Sequence, residues 1–146
     1  PNLLCLSKFS KYLLFVYLFV TLSYKNNNMK TLVLGASTNK ERYSYKAIHS
    51  LVDKSHQVVA IGAKEGIAFD IPIEKEQVAF QGIDTVTLYL NPQRQEAYYD
   101  YIVSLKPRRV IFNPGTENPE FYKILAENNI ESEVACTLVL LATNQF

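Results

Sequence analysis

Cysteine is scarce in this 146-residue chain: Cys5 and Cys136 stand far apart, and no C-x-x-C pair exists. The two histidines, His49 and His56, are not spaced as metal ligands either. The expectation is a reduced, cytoplasmic protein without a metal site. An excess of one charge is also missing. Fifteen cations face fourteen anions, a formal net charge of +1, so there is no bulk basic field for nucleic acid. Any anion site must be local. The chain has no G-x-x-x-x-G-K-[ST], which excludes a nucleotide-hydrolysing P-loop. It has no complete G-x-G-x-x-G; of those glycines only Gly35 is present. Internal repeats are absent, and no linker follows Met29.

The longest apolar run is Tyr12 to Leu22, behind Lys8 and Lys11. It falls short of the roughly 20 residues that span a bilayer. It resembles a signal-peptide core, yet no A-x-A-like cleavage site follows. The only methionine, Met29, opens directly onto an apolar strand. Residues 1–28 therefore read as an N-terminal extension. We favour upstream sequence outside the native protein over a signal or anchor, or an amphipathic extension. Residues 29–146 read as the folded domain. A membrane role would depend on the first 28 residues.

From Met29 onward, apolar runs and helical periodicities alternate. Lys30–Leu34, Gln57–Ile61, Thr85–Leu90, Arg109–Phe112 and Ile130–Val134 read as strands. Tyr43–Asp53 reads as a helix with Ala47, Ile48, Leu51 and Val52 on one face. Asn91-Pro92 and Asn118-Pro119 each pair a capping asparagine with a first-turn proline. The first opens a helix that Lys106-Pro107 stops, with Tyr98 and Tyr101 inward and Tyr99 free for a subunit interface. The second opens a helix running to about Asn128. Thr137–Ala142 closes the chain as a short helix. Gly62–Gly82 shows no long helix, only irregular or strand-like pieces. Continuous apolar strands separated by helices imply a parallel sheet buried on both faces. The predicted fold is α/β: a Rossmann-like five-stranded parallel sheet, order 3-2-1-4-5, with helices on both faces. Its switch point would lie between the first and fourth strands.

Ligands bind such sheets beyond the carboxyl ends of the strands, at the switch point. Three loops would converge there. The first, after strand one, holds Gly35, Ala36 and Ser37 with the cations Lys40 and Arg42. A glycine turn feeding a helix, with cations close behind, suits a phosphate. The second holds Gly62 and Lys64, and the third Asn113, Pro114 and Gly115. Readers of NAD usually place a carboxylate after the second strand; here that position leads to Lys64. A cation there favours a phosphorylated ribose. A pyrophosphate and a ribose phosphate on one adenine nucleotide describe coenzyme A, and also NADP. His49, His56 and Cys136 read as structural or inert, because no catalytic partner is placed beside them by sequence.

Five pieces of the chain resemble the small stand-alone CoA-binding proteins related to the amino-terminal domain of the succinyl-CoA synthetase α subunit. They are Gly35-Ala36-Ser37, Arg42-Tyr43-Ser44, the Ile61-Gly62 strand end with Lys64 and Gly66, Asp84–Pro92 and Pro107–Glu117. The resemblance implies a domain that binds coenzyme A. It implies Gly35, Ala36 and Ser37 near the pyrophosphate, Arg42 on a phosphate, and Gly62 and Lys64 at the adenosine end. Asn113, Pro114 and Gly115 would wall the pantetheine. Thr38-Asn39-Lys40 departs from the family's run of small residues. The synthetase domain that carries the phosphorylated histidine has no counterpart here, so ligase chemistry is not implied. The expected function is binding of coenzyme A or acyl-CoA without catalysis. The alternatives are a small NADP-dependent or CoA-linked enzyme, and a nucleotide-binding subunit of a larger acyl-CoA ligase. Homodimerisation is compatible with so small a domain.

Overall fold

The computed structural model describes residues 13–17 and 30–146. Residues 13–17 are helical and exposed. The rest of the Tyr12–Leu22 run, Cys5, the Lys25–Asn28 tract and Met29 lie outside the described residues. Among those described, no helix is long and apolar enough to cross a membrane.

The chain alternates as its pattern predicts. β1 (Lys30–Ala36) leads to α1 (Tyr43–Asp53), then β2 (Gln57–Gly62). A hairpin of β3 (Gly66–Ala68) and β4 (Ile71–Glu74) follows, then β5 (Ile83–Leu88). Next come α2 (Pro92–Gln95), a 3₁₀ turn (Glu96–Tyr98) and α3 (Tyr99–Leu105). β6 (Arg109–Phe112), α4 (Pro119–Glu127), β7 (Glu131–Val134) and α5 (Thr137–Ala142) complete it. The side chains of Asn91 and Asn118 accept from the N–H groups of Arg94 and Phe121, so both Asn-Pro signals act as caps.

The sheet has seven strands in the order β3-β4-β2-β1-β5-β6-β7. All neighbours are parallel except β3 and β4. The Rossmann-like architecture stands, but the five-strand order 3-2-1-4-5 needs correction. The chain turns back at Phe69-Asp70, both at positive φ, and lays β4 beside β2. That fills the place expected for Thr85–Leu90. This segment, as β5, crosses instead to the other side of β1. The switch point therefore separates β1 from β5, and β6 lies one strand further out.

Side chains alternate across β1 and so feed two cores. Leu32 and Leu34 join Val86, Leu88, Phe112, Ile102, Phe121 and Leu125 on the α3–α4 face. Val33 joins Ile48, Leu51, Ala60 and Leu141 on the α1–α5 face. Tyr99, read as free for a subunit interface, stacks on Phe121 at 4.3 Å, and its hydroxyl accepts from Asn118 Nδ2 at 2.8 Å. The helix after Asn91 breaks into three pieces, and Ala97 is exposed.

Candidate functional site

At the carboxyl ends of β1, β2 and β5 lies a cleft of about 270 Å³. Gly35 and Gly62 form part of its wall, with Ile61, Leu90, Arg94 and Tyr98. Both glycines are there for steric reasons. Gly35 sits at a bulge in β1 with φ +92°, and a Cβ would lie 2.9 Å from the Tyr89 carbonyl carbon. A Cβ on Gly62 would collide with the Ala36 carbonyl oxygen. Bare backbone therefore borders the cleft at two adjacent strand ends, which lets a polar ligand approach main-chain groups closely.

The loop after β1 is organised by its own polar side chains. Ser37 Oγ accepts from the Asn39 N–H at 3.1 Å, and Asn39 Oδ1 accepts from the Glu41 N–H at 3.0 Å. These local turns set up the entry to α1. Arg42 is the N-cap of that helix and supplies no side-chain acceptor, and the first turn carries no acidic residue. Neither the N-cap side chain nor the first turn of α1 therefore offsets the positive end of the helix. Lys40 and Arg42 are exposed in the same loop. Lys64 is exposed in the loop after β2, and Gly66, just beyond it, lies against the Thr38 methyl. The two loops are therefore in contact.

Residues Asn113, Pro114 and Gly115 follow β6, outside the lining of the cleft. Asn113 is buried and its amide is committed to protein partners. Its Nδ2 donates to Thr87 Oγ1 (2.7 Å) and the Leu88 carbonyl (3.0 Å), and its Oδ1 accepts from the Thr137 N–H (2.8 Å). Pro114 and Gly115 are exposed beside it. A buried bracket joins this loop to the cleft. Gln95 Nε2 donates to the Leu90 carbonyl at 2.8 Å and the Thr116 carbonyl at 2.7 Å, and its Oε1 accepts from Asn118 Nδ2 at 3.0 Å.

The sequence pattern pointed to Gly35 and Gly62, which border one cleft, to Ala36 at the end of β1, and to Ser37, Lys40, Arg42 and Lys64 in the two adjoining loops. It missed Leu90, Arg94 and Tyr98, which follow β5. The signal was present in the Asn91-Pro92 helix start, but the strand order had put that helix elsewhere. Next to the site, Tyr89 is largely buried, and burial pushes its phenol up to about 12. Its hydroxyl sits beside Thr87 and Thr137 without completing a hydrogen bond. Those two hydroxyls bond each other instead, at 2.7 Å. Among the described residues no cluster of three or more metal-ligating side chains occurs.

The profile of the CoA binding domain matches residues 29–142. The chain belongs to that family. A crystal structure of an uncharacterized protein is 50% identical, with a TM-score of 0.78, covering 80% of this chain and 97% of that one. A Thermus thermophilus protein shares the fold at 18% identity and a TM-score of 0.72, covering 86% of this chain and 96% of that one. The dinucleotide-forming acetyl-coenzyme A synthetase 1 of Ca. Korarchaeum cryptofilum, solved with phosphate and ADP, shares it at 10% identity and a TM-score of 0.61. That likeness covers 74% of this chain and 25% of the synthetase chain. No curated protein matches. As a CoA binding domain, the chain carries its glycine-lined cleft at the switch point that the α/β rule assigns to ligands.

Proposed function

We propose that this chain is a cytoplasmic protein that binds coenzyme A or acyl-CoA without catalysis of its own, through residues 29–146. The observation that carries the reading is the pair of glycines on adjacent strand ends, beside an uncapped helix start and four cations. The N–H groups of Gly35, Ala36 and Ser37 and the first turn of α1 take the pyrophosphate, and Lys40 and Arg42 balance its charge. Gly62 admits the adenosine end, and Lys64 meets the ribose phosphate. Arg94 closes the third side. Pro114 and Gly115 flank the pantetheine, with Asn113 fixing their loop.

Calorimetric titration with coenzyme A, dephospho-CoA, NAD and NADP tests this. Coenzyme A should bind, and dephospho-CoA should bind roughly tenfold more weakly for want of one charge-assisted contact. NAD should give no heat. Arg42→Gln should weaken coenzyme A by about tenfold. Tight NADP binding with no response to coenzyme A would overturn the proposal and favour a small reductase.

A further inference from the structure

A larger cavity, about 620 Å³, lies at the opposite pole, where β1, β2, β5 and β6 begin. Its lining carries Lys54, His56, Arg108 and Arg109 together with the Asp84 carboxylate. That carboxylate is already engaged: Arg108 Nε and Nη2 each reach it at 3.1 Å. Arg109 is paired with Glu133, which leaves Lys54, among the described residues, as the cation of this lining without a carboxylate partner.

Arg109 is the anchor. It is only 7% exposed, with Nε donating to Thr85 Oγ1 at 3.1 Å and Nη1 to Glu133 Oε2 at 2.8 Å. Among the described residues its Nη2 has no acceptor, although the side chain lines the cavity. A guanidinium holds its donors in a rigid fork, so an unused arm facing the cavity is a preformed oxyanion contact. Among the described residues Lys54 reaches only a neutral group, Asn144 Oδ1, at 2.8 Å. Burial lowers the pKa of His56, and the nearby charges of Lys54 and Arg109 lower it further, so both cations act on one point. The Phe146 ring covers Arg109 at 4.9 Å and meets His56 edge-on at 5.0 Å, giving an apolar wall.

We propose that this cavity is a second binding site, for a small oxyanion bearing phosphate or carboxylate groups, held by Arg109 and Lys54 with His56 as a third donor. Its volume is within the range of small-molecule sites. The proposal is independent of coenzyme A, and its test uses none.

Inorganic phosphate and succinate are titrated separately into the full chain at constant ionic strength, with the imidazole signals followed by NMR. The His56 signals should shift saturably, and its titration midpoint should rise because a bound anion offsets Lys54 and Arg109. His49, packed on Phe69 outside the cavity, is the internal reference. Arg109→Gln strands Glu133 and is a poor test of binding alone. Lys54→Gln alters only an exposed residue after α1 and should weaken binding roughly fivefold. The anion that saturates at lower concentration identifies the ligand class. No saturable shift with either anion, an equal shift with sodium chloride, or unchanged affinity in Lys54→Gln overturns the site.

Discussion

Gly35 joins fold and site in one residue. Its positive φ and the nearby Tyr89 carbonyl both act against any side chain. Gly35→Ala should cost roughly 2–4 kcal/mol of stability, read by denaturant unfolding, and should abolish the coenzyme A response. Tyr89 makes the opposite prediction. Its buried hydroxyl has lost water and gained no partner, so Tyr89→Phe should be neutral or stabilising by about 1 kcal/mol. Its midpoint in urea checks this. Gly35 could be read from the sequence, because an apolar run ending in glycine before a helix has few other uses. The state of Tyr89 could not, since it depends on two hydroxyls from β5 and α5 that satisfy each other.

The elements beside the site are held by buried amides as well as by apolar packing. Gln95 makes three hydrogen bonds with no exposure to water, joining α2, the end of β5 and the loop after β6. Gln95→Leu keeps the bulk but takes the donor from two carbonyls and leaves Asn118 Nδ2 only the Tyr99 hydroxyl. It should cost roughly 2–4 kcal/mol and increase hydrogen exchange in 113–118, while α1 stays protected. The Asn-Pro caps that flank this bracket were legible as local chemistry. The bracket itself was not, because residues some twenty positions apart meet only when β5 and β6 pair.

The whole molecule couples its lower pole to pH. The folded pKa of His56 lies below the ordinary value, so the unfolded chain takes up the proton first as pH falls below about 6.5. The contribution of His56 to stability is complete above that value and declines as pH falls through the window. For Asp84, burial acts upward, but hydrogen bonds from Arg108 and Thr85 and the arginine charges outweigh it. Its pKa is lowered, so its contribution is present above the ordinary carboxylate value and lost as pH falls through the folded one. Melting temperature against pH should therefore fall first in mildly acidic buffer and again in strong acid. His56→Gln should remove the first decline and keep the second.

Local pattern determined which segments became helices and strands. Periodicity, capping residues and continuous apolar runs act within a few residues of one another, so α1, β6 and α5 could be bounded directly from the chain. The same locality identified the glycine turn and its cations. Only the tertiary structure decided which strands are neighbours. The short hairpin at Phe69-Asp70 claims the place beside β2, so β5 moves to the other side of β1 and brings Leu90, Arg94 and Tyr98 to the cleft. Neighbour choice depends on competition among strands far apart in sequence for the same backbone edges. No local pattern carries that information.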